Sequence, residues 1–202
     1  MNVVKFKNKL ISPSKIVCIG RNYVDHIKEM DSEMPTEPVI FMKPNSAISD
    51  QLNAGIDVPN HYEAEICFLM KNGQFSAVGF GLDLTKRSVQ KVLKQKGLPW
   101  ERAKAFDGSA VFSEFVDFDS LKNLSLELMI NSQVIQQANY DLMIHKPQQI
   151  LIEIQKQFSL IDGDIIMTGT PKGVGQINKS DLFVGKIIEN NLVLIEHKWI
   201  AE

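Results

Sequence analysis

The chain reads as an α+β protein that is mainly β. Short apolar or alternating runs bounded by Gly, Pro, Asn and Asp outnumber helical patterns. Those runs do not alternate with helices in the manner of a doubly wound parallel sheet. Two turns, at Asn72-Gly73 and Asn190-Asn191, join apolar runs closely enough to make hairpins.

Taken in order, residues 2–7 and 15–19 read as short strands, and residues 24–30 as a short helix. A polar, proline-containing loop runs from Asp31 to Pro38. The continuous apolar run Val39-Ile40-Phe41-Met42 reads as a buried strand. Ile66 to Met70 and Phe75 to Phe80 flank Asn72-Gly73, the strongest short hairpin signal. Lys86 to Lys96 carries Val89, Val92 and Leu93 at helical spacing and stops at Gly97. Leu124 to Ile130 alternates as a strand. Pro147 opens a helix whose buried face is Ile150, Leu151, Ile154 and Phe158. Asp162-Gly163 turns the chain into a strand over residues 164–167. Lys186 to Ile188 and Leu192 to Glu196 form the closing hairpin.

No repeat or linker divides the 202 residues, so one catalytic domain over residues 1–202 is expected. An apolar fraction of 44% and a net charge of -2 fit an ordinary globular protein and exclude bulk electrostatic recruitment of nucleic acid or anionic membrane. No apolar run approaches the ~20 residues of a membrane span. Cys18 and Cys67 read as buried free thiols, and a reducing cytoplasm is the expected compartment.

Three acids carry most of the chemistry. Glu63 and Glu65 are two apart, so a strand puts both on one face. Carboxylates in apolar sequence are costly to desolvate unless a cation pairs with them, and oxygen ligands suit Mg²⁺, Mn²⁺ or Ca²⁺. Asp83 joins them only on a condition. A plain two-residue turn at Asn72-Gly73 sets Glu63 opposite Leu82 and turns Asp83 to the other face. A three-residue turn, or a bulge at Gly79 or Gly81, brings Asp83 round. The alternatives are a solvated Glu-x-Glu face and an Asp83 that caps the following helix.

His26 and Glu29, three apart on a helix, can meet, and a carboxylate-oriented histidine is a competent general base. Residues 168–175 form a Gly-rich turn after a buried strand. It lacks the Gly-Lys-Ser/Thr ending of a nucleotide P-loop, but its N–H groups suit a carboxylate.

The order of these motifs resembles the fumarylacetoacetate hydrolase family, in particular its small acylpyruvase branch, with members active on acylpyruvates, fumarylpyruvate and oxaloacetate. The likeness rests on Gly20-Arg21-Asn22-Tyr23 with His26 and Glu29, on Phe41-Met42-Lys43-Pro44, and on Glu63-x-Glu65. It continues through Leu82-Asp83-Leu84-Thr85-x-Arg87-x-x-Gln90, Ala103-Lys104-Ala105-Phe106-Asp107, Asp162-Gly163-Asp164 and Thr168-Gly169-Thr170-Pro171.

The resemblance implies a mixed β-sheet roll with a few short helices, a homodimer, and Mg²⁺ or Mn²⁺ held by Glu63, Glu65 and Asp83. It implies that His26 and Glu29 activate water and that Lys104 lies near the substrate's keto and carboxylate oxygens. Arg21, Arg87, Gln90 and Thr170 match substrate-side positions, and Lys43 matches a lysine of the site wall. Departures fall at Tyr62, Ser88, Val111 and Ala138, where other residues are common, and they bear on substrate choice and loop shape.

The implied activity is cation-dependent hydrolysis of a C–C bond in small 2,4-dioxo acids through a pyruvate enolate. The same arrangement serves oxaloacetate decarboxylation or keto–enol tautomerisation of 2-oxo diacids, with a non-catalytic metal-binding scaffold as a distant alternative.

Overall fold

A computed structural model describes all residues, 1–202. The first elements are strands β1 (Val4–Phe6), β2 (Lys9–Ile11) and β3 (Lys15–Gly20), helix α1 (Val24–Glu29), then β4 (Val39–Pro44) and β5 (Ile48–Ser49). Next come β6 (His61–Tyr62), β7 (Ala64–Lys71), β8 (Gln74–Asp83), helices α2 (Arg87–Gln95) and α3 (Glu101–Lys104), and β9 (Ala110–Phe112). The chain finishes with β10 (Leu124–Ile130), β11 (Gln133–Asn139), α4 (Pro147–Gln157), β12 (Ile165–Met167), β13 (Gly175–Gln176), β14 (Leu182–Glu189) and β15 (Leu192–Ile200).

A seven-stranded sheet runs in the order β4-β3-β12-β7-β8-β9-β5, and a four-stranded sheet runs β11-β10-β14-β15. The first is mixed, because β12 lies parallel to β3 and β5 parallel to β9 while the other pairs are antiparallel. The α+β, mainly β expectation and its hairpins therefore match the structure. Strands β2, β5, β9, β11 and β13 and helix α3 went unread, as they are short, polar or exposed and carry little periodicity. No helix is long and apolar enough to cross a membrane.

The two large sheets enclose the main core. Phe68, Phe80 and Leu82 from one meet Leu126, Leu128, Phe183 and Ile187 from the other. Full burial of each such side chain stabilises by roughly 1.5–3 kcal/mol. Helix α4 lays Ile150, Leu151 and Ile154 over Val17, Ile19 and Ile166. Cys18 and Cys67 are buried free thiols in a third cluster, on the opposite face of the large sheet from Phe68.

The β7–β8 hairpin decides where the acids point. Its turn is the two-residue Asn72-Gly73, with φ of 49° and 72°, the left-handed pair that suits a tight hairpin. Lys71 opposes Gln74 and Met70 opposes Phe75, but Leu69 then opposes Ala77. Ser76 is the extra residue. This bulge shifts the register, so Glu65 opposes Gly81 and the Asp83 N–H bonds the Glu63 carbonyl at 2.9 Å. Of the two devices open to the sequence, a three-residue turn or a bulge at Gly79 or Gly81, the structure uses a bulge, but nearer the turn, where β8 is only half-buried and an unpaired residue costs least. Gly81 instead admits its neighbours, since a Cβ there would lie 2.5 Å from Cys67 Sγ.

Helix α2 differs from expectation. Val92 is 47% exposed, and the buried positions are Gln90 and Leu93. The stripe formed by Arg87, Gln90 and Lys94 faces the cleft described next.

Candidate metal centre and active site

The bulged hairpin gathers Glu63, Glu65 and Asp83 on one face, with ligand oxygens all within 4.8 Å of one another. All three are buried. Asp83 caps no helix, since α2 has no side-chain cap. Three cations surround the acids. Lys104 Nζ donates to Glu63 Oε2 at 2.8 Å, Asp83 Oδ2 at 2.6 Å and Thr85 Oγ1 at 2.6 Å. Arg87 pairs with Glu63 Oε1, which also accepts from Thr85 Oγ1 at 3.1 Å. Lys43 Nζ lies 2.8 Å from Asp83 Oδ1.

Glu65 is the exception. Its only hydrogen bond comes from the Gly169 N–H, at 2.6 Å to Oε2, and no side-chain cation pairs with it. Gly169 adopts φ of +98°, and a Cβ there would meet Asn22 Cβ at 2.8 Å, so the residue that presents this N–H has to be glycine.

The electrostatics follow from these partners. Burial pushes Glu63 up, but Lys104, Arg87 and His26 outweigh it and hold the carboxyl well below the usual range. Burial pushes Glu65 up, Asp83 adds repulsion, and the Gly169 N–H offsets only part of this. Burial works against the Lys104 ammonium, yet Asp83 and Glu63 raise it above its ordinary value.

The donor set fits a hard divalent cation. It offers three carboxylates, of which Glu65 has no countercharge. Asp83 Oδ1 is buried without a well-directed hydrogen bond. Lys43 Nζ, although close, donates to the Lys104 carbonyl and to Ser109 Oγ at 3.1 Å. A buried carboxylate oxygen in that condition costs free energy that a cation would recover.

On the far side of the cleft, His26 is buried on α1 and its Nδ1 lies 3.1 Å from Glu29 Oε2. Glu29 Oε1 accepts the Gly173 N–H at 2.9 Å. The Gly-rich turn therefore does hold carboxylates, and both are the protein's own. A cleft of about 40 Å³ joins the two halves, lined by Arg21, His26, Glu63, Glu65, Arg87, Gln90, Lys94, Lys104 and Thr170 with Ile19, Ile27, Phe41 and Trp100.

Of the residues singled out in the sequence, Lys43, Asp83 and Glu29 do not line the cleft, and Lys43 lies deepest. Its side chain is fully buried beneath Asp83 and does not line the cleft, because three acceptors and an acid behind the sheet claim its ammonium. Glu29 orients His26 from the turn side.

Three neighbours escaped the sequence reading. Thr85 shares its hydroxyl between Glu63 and Lys104. Gln136 accepts from the Ala64 N–H at 3.0 Å and donates to Thr170 Oγ1 at 2.9 Å and the Pro171 carbonyl at 2.8 Å, tying the acidic strand to the turn. Lys94 extends the Arg87–Gln90 stripe by one turn. Only Lys94 was recoverable, from its i, i+3, i+7 spacing.

The sequence profile of the fumarylacetoacetate hydrolase C-terminal family matches residues 15–197. The chain belongs to the fumarylacetoacetate hydrolase family. Among curated relatives, the oxaloacetate tautomerase of Schizosaccharomyces pombe mitochondria is 35% identical, covering 86% of this chain and 88% of its own. An oxaloacetate tautomerase of Escherichia coli is 39% identical over 83% of this chain and 85% of its own. A structure described as a fumarylacetoacetate isomerase/hydrolase from Oleispira antarctica is 32% identical, with a TM-score of 0.95 and all of both chains covered. The fold is therefore that of the family, and the protein is an enzyme of it.

Proposed function

We propose that the protein is a cation-dependent keto–enol tautomerase of 2-oxo diacids, oxaloacetate being the type substrate. The observation that carries this reading is one narrow cleft with a cation-rich carboxylate site on one wall and the His26–Glu29 pair on the other. The oxaloacetate tautomerases among its relatives favour tautomerisation over hydrolysis of 2,4-dioxo acids, the first expectation from the sequence. Hydrolysis is the second reading, because a base placed to take a carbon-bound proton is equally placed to take one from water.

Glu63, Glu65 and Asp83 are the residues that would hold Mg²⁺ or Mn²⁺. Such a cation supplies positive charge beside the 2-oxo group, where negative charge develops as the enolate forms. His26, with Nδ1 turned to Glu29, presents Nε2 to the cleft. It takes the C3 proton, the electron pair becomes the C2–C3 double bond, and the former 2-oxo oxygen then takes a proton from solvent. Glu29 holds the ring in place through the Nδ1 contact. Lys104, kept charged by Glu63 and Asp83, adds a second positive charge near the oxygen. Arg87, Gln90 and Thr170 bind the substrate's polar groups, and Lys43 holds Asp83 from behind. Homodimeric assembly belongs to the same reading and is tested by light scattering.

Incubation with oxaloacetate and Mg²⁺ tests the proposal. Fast loss of the enol's ultraviolet absorbance with no pyruvate formed supports tautomerisation, and His26→Ala abolishes it. Stoichiometric pyruvate from acetylpyruvate, with oxaloacetate enol untouched, would replace it by hydrolysis.

A further inference from the structure

The cleft has more positive charge than its acids need. Arg21, Arg87, Lys94 and Lys104 line it, against Glu63 and Glu65 as the only lining carboxylates. Lys104 and Arg87 are committed to Glu63, and Lys104 also to Asp83. Arg21 and Lys94 form no salt bridge. Arg21 NH1 reaches the Glu33 carbonyl at 3.4 Å, and Lys94 Nζ reaches Ser32 Oγ at 3.4 Å. Both bonds are at the long limit, so release costs little. Both end on the segment just after α1, the helix that carries His26.

Two further features aim these cations. Arg21 holds φ of +56°, an uncommon conformation for a non-glycine residue, which sets the direction of its side chain. Lys94 lies one helical turn beyond Gln90 and two beyond Arg87, so the three share a stripe along α2 that runs outward from the acids. Desolvation, Arg21 and Arg87 lower the Lys94 pKa, and Glu63, the one carboxylate that acts against them, is already paired with Arg87 and Lys104. Bringing cations together in a half-buried cleft is unfavourable until an anion joins them. The chain as a whole carries -2, so this positive site is local.

We propose that Lys94 and Arg21 receive the distal carboxylate of the substrate and so select diacids over monocarboxylic 2-oxo acids. A short 2-oxo diacid laid along the α2 stripe puts its 2-oxo acid end at Glu63, Glu65 and Lys104. Its second carboxylate then reaches the outer cations, leaving C3 between the two ends for His26. The inference deepens the tautomerase reading and rests on it for the placement of the 2-oxo end.

The test compares oxaloacetate with its distal monomethyl ester, which keeps the skeleton and removes the second charge. The pair is followed by kcat/KM with Mg²⁺ and, separately from turnover, by calorimetric binding of 3,3-difluorooxaloacetate and its distal ester. The wild type is expected to prefer the diacid by at least about tenfold in both measurements, the size of one charge-assisted contact. Lys94→Met is expected to reduce that ratio about tenfold, mainly through KM, and Lys94→Arg to restore it. An equal loss on diacid and ester, or a wild type with no preference in binding, would overturn the assignment. A binding preference that depends on Lys94 without turnover would uphold the carboxylate subsite and refute the tautomerase reading.

Discussion

At the residue scale, the site depends on unequal pairing of three acids. Glu63 and Asp83 each have cations against them, while Glu65 has a backbone N–H and the negative field of Asp83. Replacing Glu65 by Gln removes a buried charge that the metal-free protein does not neutralise. Glu65→Gln should fold at least as stably as the wild type without metal, yet bind Mg²⁺ at least about tenfold more weakly and lose the rise in Tm that Mg²⁺ gives. Calorimetric titration and thermal melts check both halves. An unchanged Mg²⁺ affinity would remove Glu65 from the ligand set.

Asp164 supports the site from further away. It accepts from Ser14 Oγ at 2.6 Å, Lys15 Nζ at 2.5 Å and the Ile161 N–H at 3.0 Å, and fixes the start of β12 against β3. Burial raises its pKa, but those donors outweigh burial and lower it. The folded state therefore prefers the ionised carboxylate. Its contribution to stability is complete above the ordinary aspartate range and is lost as pH falls through the lower folded value. Asp164→Asn should cost about 2 kcal/mol near neutral pH, and its stability should fall less steeply than the wild type's on acidification. Urea titrations across that range check the slope; parallel curves would count against the assignment.

At the element scale, the β7–β8 hairpin shows how much of the site was legible. The Asn72-Gly73 signal places the turn, and the period of two places Glu63 with Glu65. The position of Asp83 is a register question, and register is fixed by which face each residue prefers over the whole hairpin. Phe75 packs on Phe68 with ring centroids 4.5 Å apart, while Ala77 and Gly81 stand on the opposite face, and only an extra residue between Phe75 and Ala77 satisfies both. Nothing in the identity of Ser76 announces that role. Deletion of Ser76 should slide β8 by one residue, turn Asp83 away from Glu63, and abolish Mg²⁺-dependent stabilisation. Retained Mg²⁺ binding in a folded deletion variant would refute the register argument. Lys43 illustrates the other limit of the sequence. A lysine among apolar residues signals a functional position, but whether it faces the cleft or the underside of the acids depends on Ser109 and the Lys104 carbonyl, more than sixty residues away.

At the scale of the whole molecule, the two walls of the cleft come from distant parts of the chain. The large sheet brings Glu63, just before β7, and the acids of β7 and β8 beside Lys104, while the end of β3 leads into α1 and His26. The turn after β12 links them, since the Gly169 N–H holds Glu65 and the Gly173 N–H, four residues on, holds Glu29. The fold class and most candidate residues could be read from periodicity and motif order. The cross-links made by Gln136 and Thr85 could not, because each joins elements far apart in sequence. A narrow, cation-rich cleft between a proton carrier and a carboxylate site suits enolisation of a small diacid.

The most direct test follows the enol absorbance of oxaloacetate with the purified protein, with Mg²⁺ and after chelation, while assaying pyruvate in the same sample. The account predicts rapid enol–keto equilibration with Mg²⁺, loss of it on chelation and in His26→Ala, and no pyruvate above the uncatalysed background. Equilibration that survives both chelation and loss of His26 would contradict it.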